Sequence, residues 1–234
     1  MSWGDIDAVI FDWGGTLTPW HTVDPFDSWL AATFADHDVA RRLHDAERAA
    51  WLQSTDEHRS ATLEDIFARA GVTPTAEMLA AFHAWWEPHT YLDPDAPELF
   101  AGLRRRDLRI GVLSNTVWPR SVHDRIFERD KVLTTFHGTV YTSEIAWTKP
   151  HPEAFRAALA AVGVAEPARA VFVGDRLFDD IHGAKSVGMR AVLVPHSEIP
   201  ADQHRDADSE PDAVISRLVD LLDVLDSWRA GAPA

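Results

Sequence analysis

Asp7-Ala8-Val9-Ile10-Phe11-Asp12-Trp13-Gly14-Gly15 is the stretch from which the rest of the chain can be read. A short apolar run ends abruptly at a carboxylate and a glycine pair. That is the pattern of a strand buried on both faces of a parallel sheet and closed by a tight turn. The pattern recurs downstream: Leu108–Leu113 ends at Ser114-Asn115, Gly138–Tyr141 at Thr142-Ser143, Ala170–Val173 at Gly174-Asp175, and Ala191–Val194 at Pro195. Helical periodicity lies between these runs, over Glu98–Arg106, Ser121–Glu128, Pro152–Val162 and Phe178–Val187. A last helix is expected over about Asp212–Trp228, with Val214, Leu218, Leu221, Leu222 and Leu225 on one face. Strand and helix in alternation predict an α/β fold with a parallel sheet. The polar clusters all fall at the carboxyl ends of the strands, where open α/β sheets bind ligands.

One region interrupts the alternation. From Trp20 to Tyr91 only helical periodicity is present: Val39, Leu43, Ala46 and Ala50 mark one helix, Leu63, Ile66 and Phe67 a second, and Ala76–Trp86 a third. Thr62 with Asp65 three residues on is a variant of the capping box and starts the second of these. The expected organisation is a core of residues 1–19 and 92–234 carrying a helical insertion, residues 20–91, over the sheet edge.

The 234 residues carry 22 Lys and Arg against 37 Asp and Glu, a formal net charge of −15. Such a surface repels phosphate backbones, so no nucleic-acid partner is expected, although a local nest of donors can still hold a small anion. No apolar run approaches the ~20 residues of a membrane span, and no basic segment precedes an apolar stretch at the N-terminus. With no cysteine there is no disulfide, thiolate nucleophile or thiolate metal site, and a cytoplasmic location is the simple expectation.

The strand ends supply Asp12; Ser114 and Asn115; Lys149; and Asp175 with Asp179 and Asp180. Together they make a carboxylate nucleophile, hydroxyl and amide donors, an ammonium, and oxygen ligands for a hard cation. This set suits displacement at phosphorus through an aspartyl-phosphate.

Four segments in order resemble the motifs of the haloacid dehalogenase-like hydrolase superfamily: Phe11-Asp12-Trp13-Gly14-Gly15-Thr16-Leu17-Thr18, Val112-Leu113-Ser114-Asn115-Thr116, Thr142-Ser143-Glu144 leading to Lys149-Pro150, and Val173-Gly174-Asp175-Arg176-Leu177-Phe178-Asp179-Asp180. The insertion after the first strand resembles the subfamily with a helical cap there. The resemblance implies a Rossmann-like core and a Mg²⁺-dependent phosphatase of a small phosphorylated metabolite. It implies Asp12 and Lys149 as catalytic groups and Ser114, Asn115 and Thr16 as substrate contacts. Asp12, the Gly14 carbonyl, Asp175 and Asp180 would surround the metal, with the choice between Asp179 and Asp180 left open.

Phosphatases of the family usually carry a second Asp two residues after the nucleophile, acting as general acid. Here that position is Gly14, and general acid–base help is worth ~10²–10⁴-fold. His21 and Asp24 are the nearest replacements in sequence. Gly14 also keeps two other readings in view: a metal-independent 2-haloacid dehalogenase, and a catalytically weak binding or regulatory protein. Among the ten tryptophans, Trp13 adjoins the nucleophile and Trp20, Trp118 and Trp147 lie on loops near strand ends, whereas Trp29, Trp51, Trp85 and Trp86 read as packing within the insertion. The twelve histidines show no metal-ligand spacing.

Overall fold

A computed structural model of the chain describes residues 6–20, 22–195, 205 and 207–231. Six strands, β1 (Ala8–Phe11), β2 (Arg109–Ser114), β3 (Gly138–Tyr141), β4 (Ala170–Gly174), β5 (Arg190–Leu193) and β6 (Ala213–Val214), form one parallel sheet in the order β3-β2-β1-β4-β5-β6. β1 is central: Ala8 pairs with Arg109 of β2 on one side and Ala170 of β4 on the other. All four of its residues are fully buried, which explains the unbroken apolar run. Alternate residues serve the two faces. Val9, Phe11, Ile110, Val112, Val171 and Val173 join one core; Ala8, Ile10, Ala170 and Phe172 join the other, with Phe155, Ile181 and Ala184.

Between β1 and β2 lie four helices, α1 (Pro25–Ala32), α2 (His37–Glu57), α3 (Leu63–Ala70) and α4 (Ala76–Trp86), followed by α5 (Ala96–Arg105). Each of the first four starts at a side-chain cap: Asp24, Asp36, Thr62 and Thr75. The Thr62–Asp65 capping box forms as the spacing predicts. α1 packs on α4 and α2, and α2 on α3, around Trp29, whose ring lies 4.5 Å from Phe82 and 5.8 Å from Phe67 between centroids. The Trp29 indole N–H donates to buried Glu47 at 2.7 Å, so the one polar atom of this large side chain is satisfied.

After β2 come α6 (Arg120–Arg129), α7 (Pro152–Ala161), α8 (Gly183–Ser186) and α9 (Leu221–Arg229). Two expectations at the C-terminal side need correction. The segment after β4 begins as a wide π-type turn over Leu177–His182 before the short α8. The last helix starts at Leu221, not near Asp212: Ala213–Val214 is the edge strand β6, with Val214 exposed. A two-residue strand is too short to show a period of two, and its apolar residue falls on the spacing of the helix that follows.

Among the described residues no helix is long and apolar enough to cross a membrane.

Candidate active site

β1, β2 and β4 end side by side, and their register brings the polar residues after each strand to one place. The Asp12 N–H donates to the Val173 carbonyl at 2.9 Å, holding the first residue past β1 against the end of β4. Asp12, Lys149, Asp175 and Asp180 are all buried. Lys149 Nζ sits between two carboxylates, 2.7 Å from Asp12 Oδ1 and 2.6 Å from Asp180 Oδ1. The second oxygen of Asp180 accepts the backbone N–H groups of Asp175 (3.1 Å) and Arg176 (3.0 Å). Asp180 thus fixes both the lysine and the turn that carries Asp175. Gly174 is what permits this, since a Cβ there would lie 2.4 Å from the Asp180 carboxyl.

Carboxylate oxygens of Asp12, Asp175 and Asp180 lie within 4.8 Å of one another. Three carboxylates against one ammonium leave two negative charges in a buried space. Burial, with repulsion from Asp180 and Asp175, raises the Asp12 pKa to about 7 in spite of Lys149. Burial and then Asp180 raise Asp175 to about 6. Burial works against the Lys149 charge, but Asp12 and Asp180 outweigh it and hold its pKa above the ordinary lysine range. A cluster of hard oxygen donors carrying two excess charges fits a divalent cation such as Mg²⁺. Asp179 is turned elsewhere, 3.6 Å from the Arg176 guanidinium.

The remaining sequence candidates take bracing positions. Ser114 is the buried last residue of β2. The Asn115 carboxamide grips the Lys149 main chain, accepting its N–H at 2.8 Å and donating to its carbonyl at 3.2 Å. The Thr16 hydroxyl donates to Asp175 Oδ1 at 3.3 Å. Asp24 is exposed and accepts the Phe26 N–H as the α1 cap. His21 lies outside the described residues.

A family model described as haloacid dehalogenase-like hydrolase matches residues 6–188, which contain every side chain named above. The chain belongs to the haloacid dehalogenase-like hydrolase family. The hydrolase is 26% identical over 238 residues to a glyceraldehyde 3-phosphate phosphatase from Methanopyrus kandleri, covering 94% of this chain and 97% of that one. Its fold matches a HAD phosphatase from Thermococcus onnurineus with a TM-score of 0.66 at 24% identity, over 98% and 100% of the two chains. It also matches a 2-haloacid dehalogenase from Pseudomonas syringae pv. Tomato DC3000 with a TM-score of 0.68 at 24% identity, over 95% and 99%. Likeness at that level shows the shared fold, so the hydrolase's own side chains must distinguish phosphorus from carbon chemistry.

Sequence reasoning missed three features of the hydrolase site. Trp20 donates its indole N–H to Asp175 Oδ2 at 2.6 Å, and its ring lies 5.2 Å from the Arg176 guanidinium. Gly15 makes room for it, with φ +86° and a would-be Cβ only 2.2 Å from Trp20 Nε1. Thr142 accepts the Thr116 N–H at 2.9 Å and donates to the Thr116 carbonyl at 3.2 Å, tying the end of β3 to the loop after β2. Finally, the stretch from the last turn of α2 to the first residue of α3 touches the loops after β2 and β3: Leu63 N–H donates to Val117 O (2.8 Å), Thr148 N–H to His58 O (2.9 Å), and Ser54 Oγ to Thr148 Oγ1 (2.9 Å). Only Trp20 had a local signal, as an aromatic residue soon after a glycine-rich strand end.

Proposed function

We propose that this hydrolase is a Mg²⁺-dependent phosphatase of small phosphorylated metabolites, working in the cytoplasm through an aspartyl-phosphate on Asp12. The observation that carries the reading is the cluster of Asp12, Asp175 and Asp180 around Lys149. A metal-free displacement at carbon has no need of an acidic ligand at Asp175. The phosphatase name of the Methanopyrus relative, matched almost end to end, points the same way. The cysteine-free composition supports the location. Residues 20–91 act as the cap over residues 1–19 and 92–234.

Lys149 holds Asp12 Oδ1, leaving the other carboxylate oxygen to attack phosphorus. As the new O–P bond forms, the ester P–O bond breaks and its electron pair leaves with the alcohol oxygen. Water then attacks phosphorus, the P–O bond to Asp12 breaks and its electron pair returns to the carboxylate; one water proton stays on the phosphate and the other restores the departed alcohol. The Lys149 ammonium and the Ser114 hydroxyl take charge on the phosphoryl oxygens, and Asn115 keeps the lysine in position. Asp12, Asp175, Asp180 and the Gly14 carbonyl would hold Mg²⁺, which when bound neutralises phosphoryl charge.

The test is a screen of phosphorylated metabolites, aryl phosphates and 2-haloacids, each with Mg²⁺ and with a chelator. Phosphate release that needs the metal and vanishes in Asp12→Asn is expected. Halide release independent of metal would overturn the reading in favour of the dehalogenase, and no turnover of any class would favour a binding role.

A further inference from the structure

Directly beside the nucleophile lies a second constellation that the phosphatase chemistry leaves unused. Trp13 follows Asp12, and its ring sits 4.8 Å from His123 and 5.9 Å from Trp118. Trp118, three residues past Asn115, is the hub: His83 lies 5.6 Å away, Trp86 6.0 Å, Phe82 6.2 Å and His123 5.8 Å between centroids. The cluster therefore joins the loops after β1 and β2 to the face of α4.

Packing alone would account for aromatic rings, but not for their nitrogens. Trp13 Nε1, His83 Nδ1, Trp86 Nε1 and His123 Nδ1 are all buried without a hydrogen-bond partner among the described residues. Trp13 is 9% exposed and His123 not at all. Buried polar atoms in native proteins are nearly always paired, and leaving one unpaired is destabilising. Four in one cluster next to a reactive carboxylate call for a partner from outside the chain. An indole nitrogen only donates, so the partner must supply acceptors. Burial, reinforced by Arg120 and His83, lowers the His123 pKa to about 3, and burial lowers His83 to about 4. Both rings are thus neutral, with Arg125 near His83 and Arg120 near His123 as the neighbouring cations.

A separate observation converges on the same ligand. A Cβ at Gly14 would meet nothing within 4 Å, so the place of the usual acid is open space. A leaving group that departs as a stable anion has least need of that acid.

We propose that the Trp13–Trp118 cluster is the leaving-group subsite, and that it takes phosphoesters of a planar aromatic or heteroaromatic alcohol bearing hydrogen-bond acceptors. The proposal rests on the phosphatase reading above. Trp86 and His83 are themselves partly exposed, so a ring seated against Trp118 enters from their side, and a small shift of the Trp86 side chain brings its buried indole N–H to the acceptor atoms.

The test separates recognition of the ring from ease of departure by using esters of matched leaving-group basicity. Benzyl phosphate, 3-pyridylmethyl phosphate and cyclohexylmethyl phosphate are compared by kcat/KM, and benzylphosphonate and cyclohexylmethylphosphonate by calorimetry. Benzyl over cyclohexylmethyl by roughly three- to tenfold is expected, the scale of an aromatic contact beyond simple burial, with pyridylmethyl better still. Trp86→Phe and His83→Phe keep a ring and remove a nitrogen. They should abolish the pyridyl advantage while the benzyl preference persists, and circular dichroism confirms that they fold. Phosphate release with a benzyl-to-cyclohexylmethyl ratio near one overturns the subsite and leaves the phosphatase standing. Preferential binding of benzylphosphonate with no phosphate release from these esters or from phenyl phosphate, whose leaving group needs no acid, supports the subsite and overturns the phosphatase. Equal binding of the two phosphonates with no release from any ester, phenyl phosphate included, overturns both.

Discussion

At position 14 the chain has a hydrogen atom where family phosphatases place a carboxymethyl group, and the structure shows that nothing has grown into the gap. Gly14→Asp should therefore fold without a clash. Its expected effect is a gain on alkyl phosphates of up to ~10²-fold, the low end of general-acid help, and little change on aryl phosphates. A plot of log rate against leaving-group pKa for both proteins checks this, and the slope should flatten in the variant. Trp20 permits a second residue-scale prediction. Trp20→Phe keeps a ring near Arg176 but removes the donor that orients Asp175. Loss of such an outer partner lowers metal affinity by roughly tenfold or more. Calorimetric titration with Mg²⁺ should show this drop, with Asp175→Ala abolishing binding.

At the scale of elements, the strap from Ser54 to Leu63 joins the helical insertion to the loops after β2 and β3, beside the aromatic contacts that α4 makes with Trp118. Arg59 lies over the Trp147 ring at 4.1 Å, Ser60 Oγ donates to the Ile145 carbonyl, and Thr148 and Leu63 complete the seam. Removing the cation from Trp147 with Arg59→Ala should loosen the whole seam. Hydrogen exchange is the measurement: the amides of Ser60, Leu63 and Thr148 should lose protection together, while those of β1 and β4 do not. None of this was legible in the sequence, because contacts between Ser60 or Thr148 and another segment's main chain depend on the docked geometry. What was legible was local. The five longer strands showed as apolar runs ending in polar residues, and Ala76–Trp86 showed by its helical spacing. β6 did not, being two residues long. The candidate site divides the same way. Asp12, Lys149 and Asp175 could be named from strand ends, whereas the bracing geometry of Thr16, Asn115 and Asp180 emerged only when the strands lay in register.

For the whole molecule, the buried acids make stability depend on pH. Raised pKa values of about 7 for Asp12 and about 6 for Asp175 mean that both protonate more readily folded than unfolded. Their contribution is full below the ordinary carboxylate range and is lost as pH rises through about 6 to 7. Mg²⁺ should therefore raise Tm more at pH 8 than at pH 5. At a hundredfold excess over Kd, linkage gives about 2.7 kcal/mol, or roughly 5–10 °C for a chain of this size. Differential scanning calorimetry across pH checks both the size and the trend. The sheet that supports these acids has two rims, and both have a bearing on self-association. β6 offers a neighbour only two residues of backbone, and on the opposite rim the Arg120 guanidinium occupies the Thr139 carbonyl of β3 at 3.1 Å. A foreign strand seeking to extend the sheet finds too short a ladder at one end and an arginine in place of a free acceptor at the other. Among the described residues, the rims of this mostly apolar sheet therefore give a second copy of the chain little to extend.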